Sequence, residues 1–115
     1  NPSSVGSLMK DCVNEFNKDI LSVHFHDTRA MALANVCAAL TEGIRKFDSC
    51  IGGLGGCPFA PGAAGNLATE DLANMLHQMG YVTNVDLEKL SKIVDFCENQ
   101  LNTSLGGRMT AWLSN

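Results

Sequence analysis

The sequence has 115 residues, 45% of them hydrophobic, and a formal net charge of −4 from 8 lysines and arginines against 12 aspartates and glutamates. That is enough chain for one globular unit. The acidic balance, with Arg29, Arg45, Lys46 and Arg108 scattered along the chain, argues against a nucleic-acid partner, which requires a basic stripe. No apolar run approaches the roughly 20 residues that cross a bilayer, so no membrane partner is expected.

In chain order, Val5, Leu8, Met9, Cys12, Val13 and Phe16 recur at helical spacing, with Ser3 or Ser4 as the expected cap. "DILSVHFHDT" then reads as a short strand, with Ile20, Leu21, Val23 and Phe25 as its β-prone residues. It is apolar enough to be covered on both faces, as parallel strands are. Asp27 and Thr28 offer caps for a helix from about Arg29 to Glu42 that ends at Gly43. "RKFDSCIGG" reads as a second strand.

Beyond it lies "GGLGGCPFAPGAAGN", residues 52 to 66, with six glycines and two prolines. Such a segment costs entropy to order and lacks amide donors at the prolines. Glu70 and Asp71 mark a following helix whose apolar face is Leu72, Met75, Leu76 and Met79, ended by Gly80. Asn84 is the expected cap of a last long helix with core positions Leu87, Leu90, Val94, Cys97 and Leu101. The tail from Gly106 carries no readable pattern. Strands alternating with helices indicate βαβ units and a parallel sheet. Two strands leave such a sheet incomplete, so the fold class is α/β and the expectation is a piece of a larger α/β fold. The start at Asn1, without an initiator methionine, is read in the same sense.

Two stretches carry chemistry. In "HFHDT" the i, i+2 spacing places His24 and His26 on one face of a strand, where paired imidazoles can grip a metal ion or rest in hydrogen bonds. Asn66 ends a loop that leaves the neighbouring strand. Its amide oxygen can return over the same strand ends as a third ligand, or serve only as a turn residue. Among Cys12, Cys37, Cys50, Cys57 and Cys97 there is no CxxC and no disulfide framework, which favours a reducing compartment. Four of them sit in helical or strand patterns. Cys57 alone lies in the glycine loop, as a mobile reactive thiol on a closing lid or as a bystander. The loop lacks the Lys-Ser/Thr ending of a P-loop and no GxGxxG opens a helix. His77 reads as a surface residue.

"VHFHDTRAMALANV" together with "DSCIGGLGGCPFAPGAAGNLATEDL" resembles the 3-hydroxy-3-methylglutaryl-CoA lyase family over essentially the whole chain. HxHDT alone is shared with related metal-dependent aldolases and with isopropylmalate and homocitrate synthases; the glycine-loop motif is more specific. The resemblance implies a (β/α)₈ barrel with its active site at the C-terminal ends of the strands. Residues 1–115 would be the C-terminal portion of one such domain. It implies cleavage of an acyl-CoA substrate to acetyl-CoA and acetoacetate with Mg²⁺ or Mn²⁺. His24, His26 and Asn66 match the metal-ligand positions, His24 and Cys57 the candidates for proton transfer, Gly52, Gly53, Gly55 and Gly56 the lid loop, and Glu70 an acidic residue near the site.

The family's first-strand arginine and aspartate have no counterpart here, so the chain by itself is expected to be inactive. The remaining, N-terminal part of the barrel is then a partner, with a homodimer or other oligomer also expected. A bacterial cytoplasmic source is favoured, with the mitochondrial matrix as the alternative. Two rival functions stand beside the lyase: a related barrel aldolase or acyl-CoA condensing enzyme, and a non-catalytic fragment that acts only as an association module.

Overall fold

The computed structural model describes residues 1–56 and 65–113. Helix α1 (Pro2–Glu15) opens with Asn1 as its cap: the Asn1 side chain accepts from the Ser4 amide at 3.0 Å. The expected Ser3 or Ser4 cap is displaced because Pro2 suits the first helical turn, where a missing amide costs nothing. Met9 is buried and Val5, Cys12 and Val13 pack beside it, whereas Leu8 and Phe16 are 58% and 57% exposed. Helical spacing finds the apolar stripe but does not say how much of it finds a neighbour.

Strand β1 is only Val23–His24, and β2 is Phe47–Asp48. They pair in parallel, Val23 with Phe47 and His24 with Asp48. Both strands are much shorter than the apolar runs that predict them. The residues before β1 instead make a 3-10 turn, Lys18–Ile20, capped by the Asn17 side chain.

Between the strands, α2 (Ala32–Thr41) packs on α1. It starts about three residues later than expected. Asp27 Oδ1 accepts from the Ala32 amide at 2.9 Å across a turn in which Ala30 takes φ 54°, so Asp27 satisfies a helix-end donor from a distance. Gly43, at φ 91°, ends that layer as predicted. Ala32, Val36, Ala39 and Ile44 are fully buried, and each branched side chain so removed from water contributes about 1.5–3 kcal/mol. They form two adjoining clusters that Phe25 and Phe47 join from the strands.

The C-terminal half is helical. Helix α3 (Thr69–Gln78) buries Leu72, Ala73 and Leu76 but leaves Met79 48% exposed. Helix α4 (Leu87–Leu101) is capped by Asp86, whose Oδ1 accepts from the Lys89 amide at 3.1 Å. The expected cap, Asn84, sits in the preceding turn at φ 58°. Helix α5 (Arg108–Leu113) occupies the tail that has no legible pattern, and packs on α3 and α4. Among the described residues no helix is long and apolar enough to cross a membrane.

Candidate active site at the strand ends

The two faces of β1 and of the extended residues that follow it, Phe25 and His26, are chemically opposite. Val23 and Phe25 pack into the apolar clusters, while His24 and His26 are exposed on the other side. Their rings lie edge to face, 5.0 Å between centroids and 72° between planes. The strand alternation therefore sets the imidazoles side by side. His24 Nδ1 contacts Asp48 Oδ1, an acid that parallel register brings opposite His24. With Nδ1 so occupied, Nε2 is the nitrogen left to act. Sequence reasoning missed Asp48, because its role arises only when the two strands are registered.

Asn66 arrives from the far end of the glycine segment. The returning arm threads between the two strand ends: Asp27 N donates to Gly65 O and Leu67 N to Phe25 O, both at 3.0 Å, while Cys50 N donates to Leu67 O at 3.0 Å. The result is an antiparallel bridge of Asn66 with His26 and a parallel one of Ala68 with Cys50. Among the described residues, both hydrogen bonds of the Asn66 side chain use its amide nitrogen, to Leu54 O at 2.8 Å and to Cys50 Sγ at 3.1 Å, and none uses its oxygen.

The departing arm, with Gly52, Gly53, Gly55 and Gly56, lies directly against this returning one. A Cβ on Gly53 would meet the Asn66 carbonyl oxygen at 2.8 Å, and one on Gly55 would meet Asn66 Nδ2 at 2.8 Å. Both residues also hold positive φ, 67° and 95°. These glycines are required by backbone approach and conformation together. A Cβ on Gly65 would collide with the carbonyl oxygens of Gly53 and Gly55. The ends of the segment that predict a poorly packed loop are thus a tight clasp. Cys57 lies outside the described residues.

Glu70 is fully buried. Its Oε2 accepts from the Gly52 amide at 3.0 Å, and the Thr110 hydroxyl donates to Oε1 at 3.4 Å. Gly107 presses so closely on this carboxyl that a Cβ there would overlap it. Glu70 thereby braces the start of the clasp against α5. The next residue, Asp71, accepts from the amides of Arg108 at 3.1 Å and Met109 at 2.7 Å, capping α5. An acidic pair that marks one helix start in the sequence serves two other segments in space. Behind the clasp, Gly53, Asn66, Ala68, Asp71, Ser104 and Arg108 are among the residues that line a cavity of about 570 Å³.

Two imidazoles and an amide oxygen fit a divalent ion that accepts nitrogen and oxygen ligands. Among the described residues no group of three His, Cys, Asp or Glu side chains could hold a metal by itself. A complete ligand shell therefore needs a further donor. His77, by contrast, contacts the Thr83 hydroxyl at 2.6 Å, away from this group.

Comparison with known proteins puts this arrangement in context. The chain is 48% identical to hydroxymethylglutaryl-CoA lyase of Pseudomonas mevalonii over 90% of its own length and 34% of that protein's. The Bacillus subtilis HMG-CoA lyase structure matches all of the chain and 39% of its own, with TM-score 0.96 and 43% identity. An HMG-CoA lyase from Acinetobacter baumannii, in complex with coenzyme A and 3-methylmalate, matches 96% of this chain and 36% of its own, with TM-score 0.91 and 40% identity. The chain thus spans about a third of the length of the curated relatives it matches, and its α/β fold is that of part of their (β/α)₈ barrel. The HMGL-like family profile matches residues 1–97, and it is to the HMGL-like family that the chain belongs.

Proposed function

We propose that this chain carries part of the active site of a hydroxymethylglutaryl-CoA lyase, as the C-terminal portion of its barrel. The observation that carries the reading is the pairing of His24 and His26 on one strand face, with Asn66 threaded in beside them. His24 Nε2, an His26 ring nitrogen and Asn66 Oδ1 are the atoms that would hold Mg²⁺ or Mn²⁺. Such an ion, when bound, polarises and stabilises the substrate's oxygens.

The substrate of the reaction is an acyl-CoA with a tertiary hydroxyl on C3. Loss of the hydroxyl proton lets C3 become the ketone of acetoacetate as the C2–C3 bond breaks. The electron pair of that bond passes to C2 as the acetyl-CoA enolate, and a proton delivered to C2 completes acetyl-CoA. The chain offers two groups for these transfers, the His24 imidazole and the Cys57 thiol. Cys57 follows Gly56 directly in the chain, and the Gly53–Gly55 arm before it is clasped against Asn66. The cavity behind the clasp is a place for the thioester chain.

Phe16, Ile20 and Val82 are 57%, 70% and 86% exposed, and a sheet of two short strands leaves its outer backbone edges unpaired. These features favour the rest of the barrel as the chain's first partner. The four described cysteines are free thiols, in keeping with a reducing, cytoplasmic setting.

The test is to incubate the complete protein with 3-hydroxy-3-methylglutaryl-CoA, Mg²⁺ and a thiol reductant and follow acetoacetate. Cleavage is expected, and Cys57→Ala should lower kcat and kcat/KM together, as for a group used at the transition state. Condensation of acetyl-CoA with 2-oxo acids in place of cleavage would overturn the reading.

A further inference from the structure

We propose that β2 supplies a second row behind the cation site: Asp48 orients His24 and Cys50 orients Asn66, with neither residue binding the ion itself. The inference rests on the reading of His24, His26 and Asn66 as ligands, and it assigns roles to two residues that this reading leaves idle.

The parity of β2 and its extension is the first argument. Phe47 packs into the core, and the Ser49 hydroxyl is 2.8 Å from that of Thr69, at the start of α3. Asp48 and Cys50 take the alternate positions and face the histidines and Asn66. One strand thus presents two polar groups in succession, each to a different candidate ligand.

At His24 the carboxylate occupies Nδ1. A carboxylate on one ring nitrogen settles the tautomer, turns the ring, and makes the other nitrogen a better donor to a metal. Asp48 also places negative charge next to a ligand set that has none of its own. Its Oδ1 is engaged by the His24 ring, and among the described residues no three His, Cys, Asp or Glu side chains are arranged as a ligand group.

At Asn66 the question is which end of the amide faces the site. An amide nitrogen carries only donors, so only Oδ1 suits a divalent cation. The nitrogen is taken by two acceptors, Leu54 O at 2.8 Å and Cys50 Sγ at 3.1 Å. A flipped amide would set its oxygen against that carbonyl and sulfur and aim its N–H groups at the ion. Gly55 makes this packing possible, because any Cβ there would strike Nδ2. Cys50 in this role acts as a hydrogen-bond acceptor, not as a soft metal ligand or a reactive thiol.

The experiment uses the complete protein and Mn²⁺ alone as the probe, with free ion followed by EPR and histidine nitrogen couplings by pulsed EPR. Asp48→Ala is expected to weaken Mn²⁺ binding by roughly 10–100-fold and to diminish one histidine coupling. Asp48→Asn, which keeps an oxygen acceptor, should recover part of the affinity. Cys50→Val should also weaken binding, and Cys50→Ser, which keeps an acceptor, should restore it. Circular dichroism should show every variant folded. If Asp48→Ala and Cys50→Val bind like the wild type while His26→Ala and Asn66→Ala do not, the ligand reading stands and the second row is wrong. Unchanged histidine couplings with one additional bound water in Asp48→Ala would make Asp48 a ligand and overturn the proposal. Wild-type binding in His26→Ala and Asn66→Ala would remove the ligand reading, and this inference with it.

Discussion

The two sides of the β1–β2 pair differ more than any other two regions of the molecule. Toward the helices the strands send Val23, Phe25 and Phe47, which join fully buried Val36, Ala39 and Ile44. On the other side they send His24, His26 and Asp48, all exposed. The same backbone, alternating residue by residue, serves stability on one face and chemistry on the other. A substitution should therefore register almost wholly in one property or the other, and four experiments probe that division.

The largest effect is expected from His26→Ala in the complete protein. Losing one ligand of the proposed ion removes transition-state stabilisation of several kcal/mol, roughly a thousandfold in kcat/KM. The thermal midpoint should barely move, because the ring is exposed and makes no core contact. A large fall in melting temperature would show that the polar face also carries stability. The converse variant is Ile44→Ala. It empties a fully buried position and should cost about 2–5 kcal/mol in denaturant unfolding, with Mn²⁺ affinity of the folded protein unchanged.

Between these lies Gly107→Ala. The new methyl group would overlap the Glu70 carboxyl, which holds the Gly52 amide. Overpacking of this kind costs about 1–3 kcal/mol, and here it strains the brace beneath the clasp. Both unfolding and turnover should respond, the one case in which the division between faces is bridged. An effect on stability alone would detach Glu70 from the site.

The smallest effect belongs to the remote end of α4. The Lys89 backbone amide, and then its side chain, hold the Asp86 carboxyl below its ordinary pKa of 3.8. A carboxyl depressed on folding stabilises above its unfolded pKa, and that contribution is lost as pH falls through the folded one. Asp86→Asn should therefore leave stability nearly unchanged in acid below the folded pKa and lower it slightly at neutral pH, with turnover at neutral pH unaffected. Equal stability of the two proteins at neutral pH would show that the cap does not depend on charge.

The faces of the molecule were more legible than its boundaries. The i, i+2 spacing of His24 and His26 was sufficient to set their rings together, because strand alternation is a local rule. Gly43 and Gly80 end their helical segments at positive φ, 91° and 85°, for an equally local reason. Caps were less legible. Asn1 displaced the serines and Asp86 displaced Asn84, since several residues in each stretch have suitable side chains and turn geometry selects among them. Exposure was the least legible. Leu8, Met79 and Leu101 repeat at core spacing yet are about half exposed, because periodicity records a face and not the neighbour that covers it.

By itself the sequence determined the order of helices and strands as far as α4, the side on which the histidine pair lies, and the glycine positions around residues 52–66. Each follows from rules that act over a few residues. Only the tertiary structure decided what those residues meet. Parallel register placed Asp48 on His24, and the returning arm inserted Asn66 between the strand ends and turned its nitrogen to Cys50 and Leu54. Glu70 and Asp71, adjacent in sequence, were likewise sent to the glycine clasp and to α5. Contacts between residues 12 to 40 positions apart depend on how the layers stack, which no local pattern encodes.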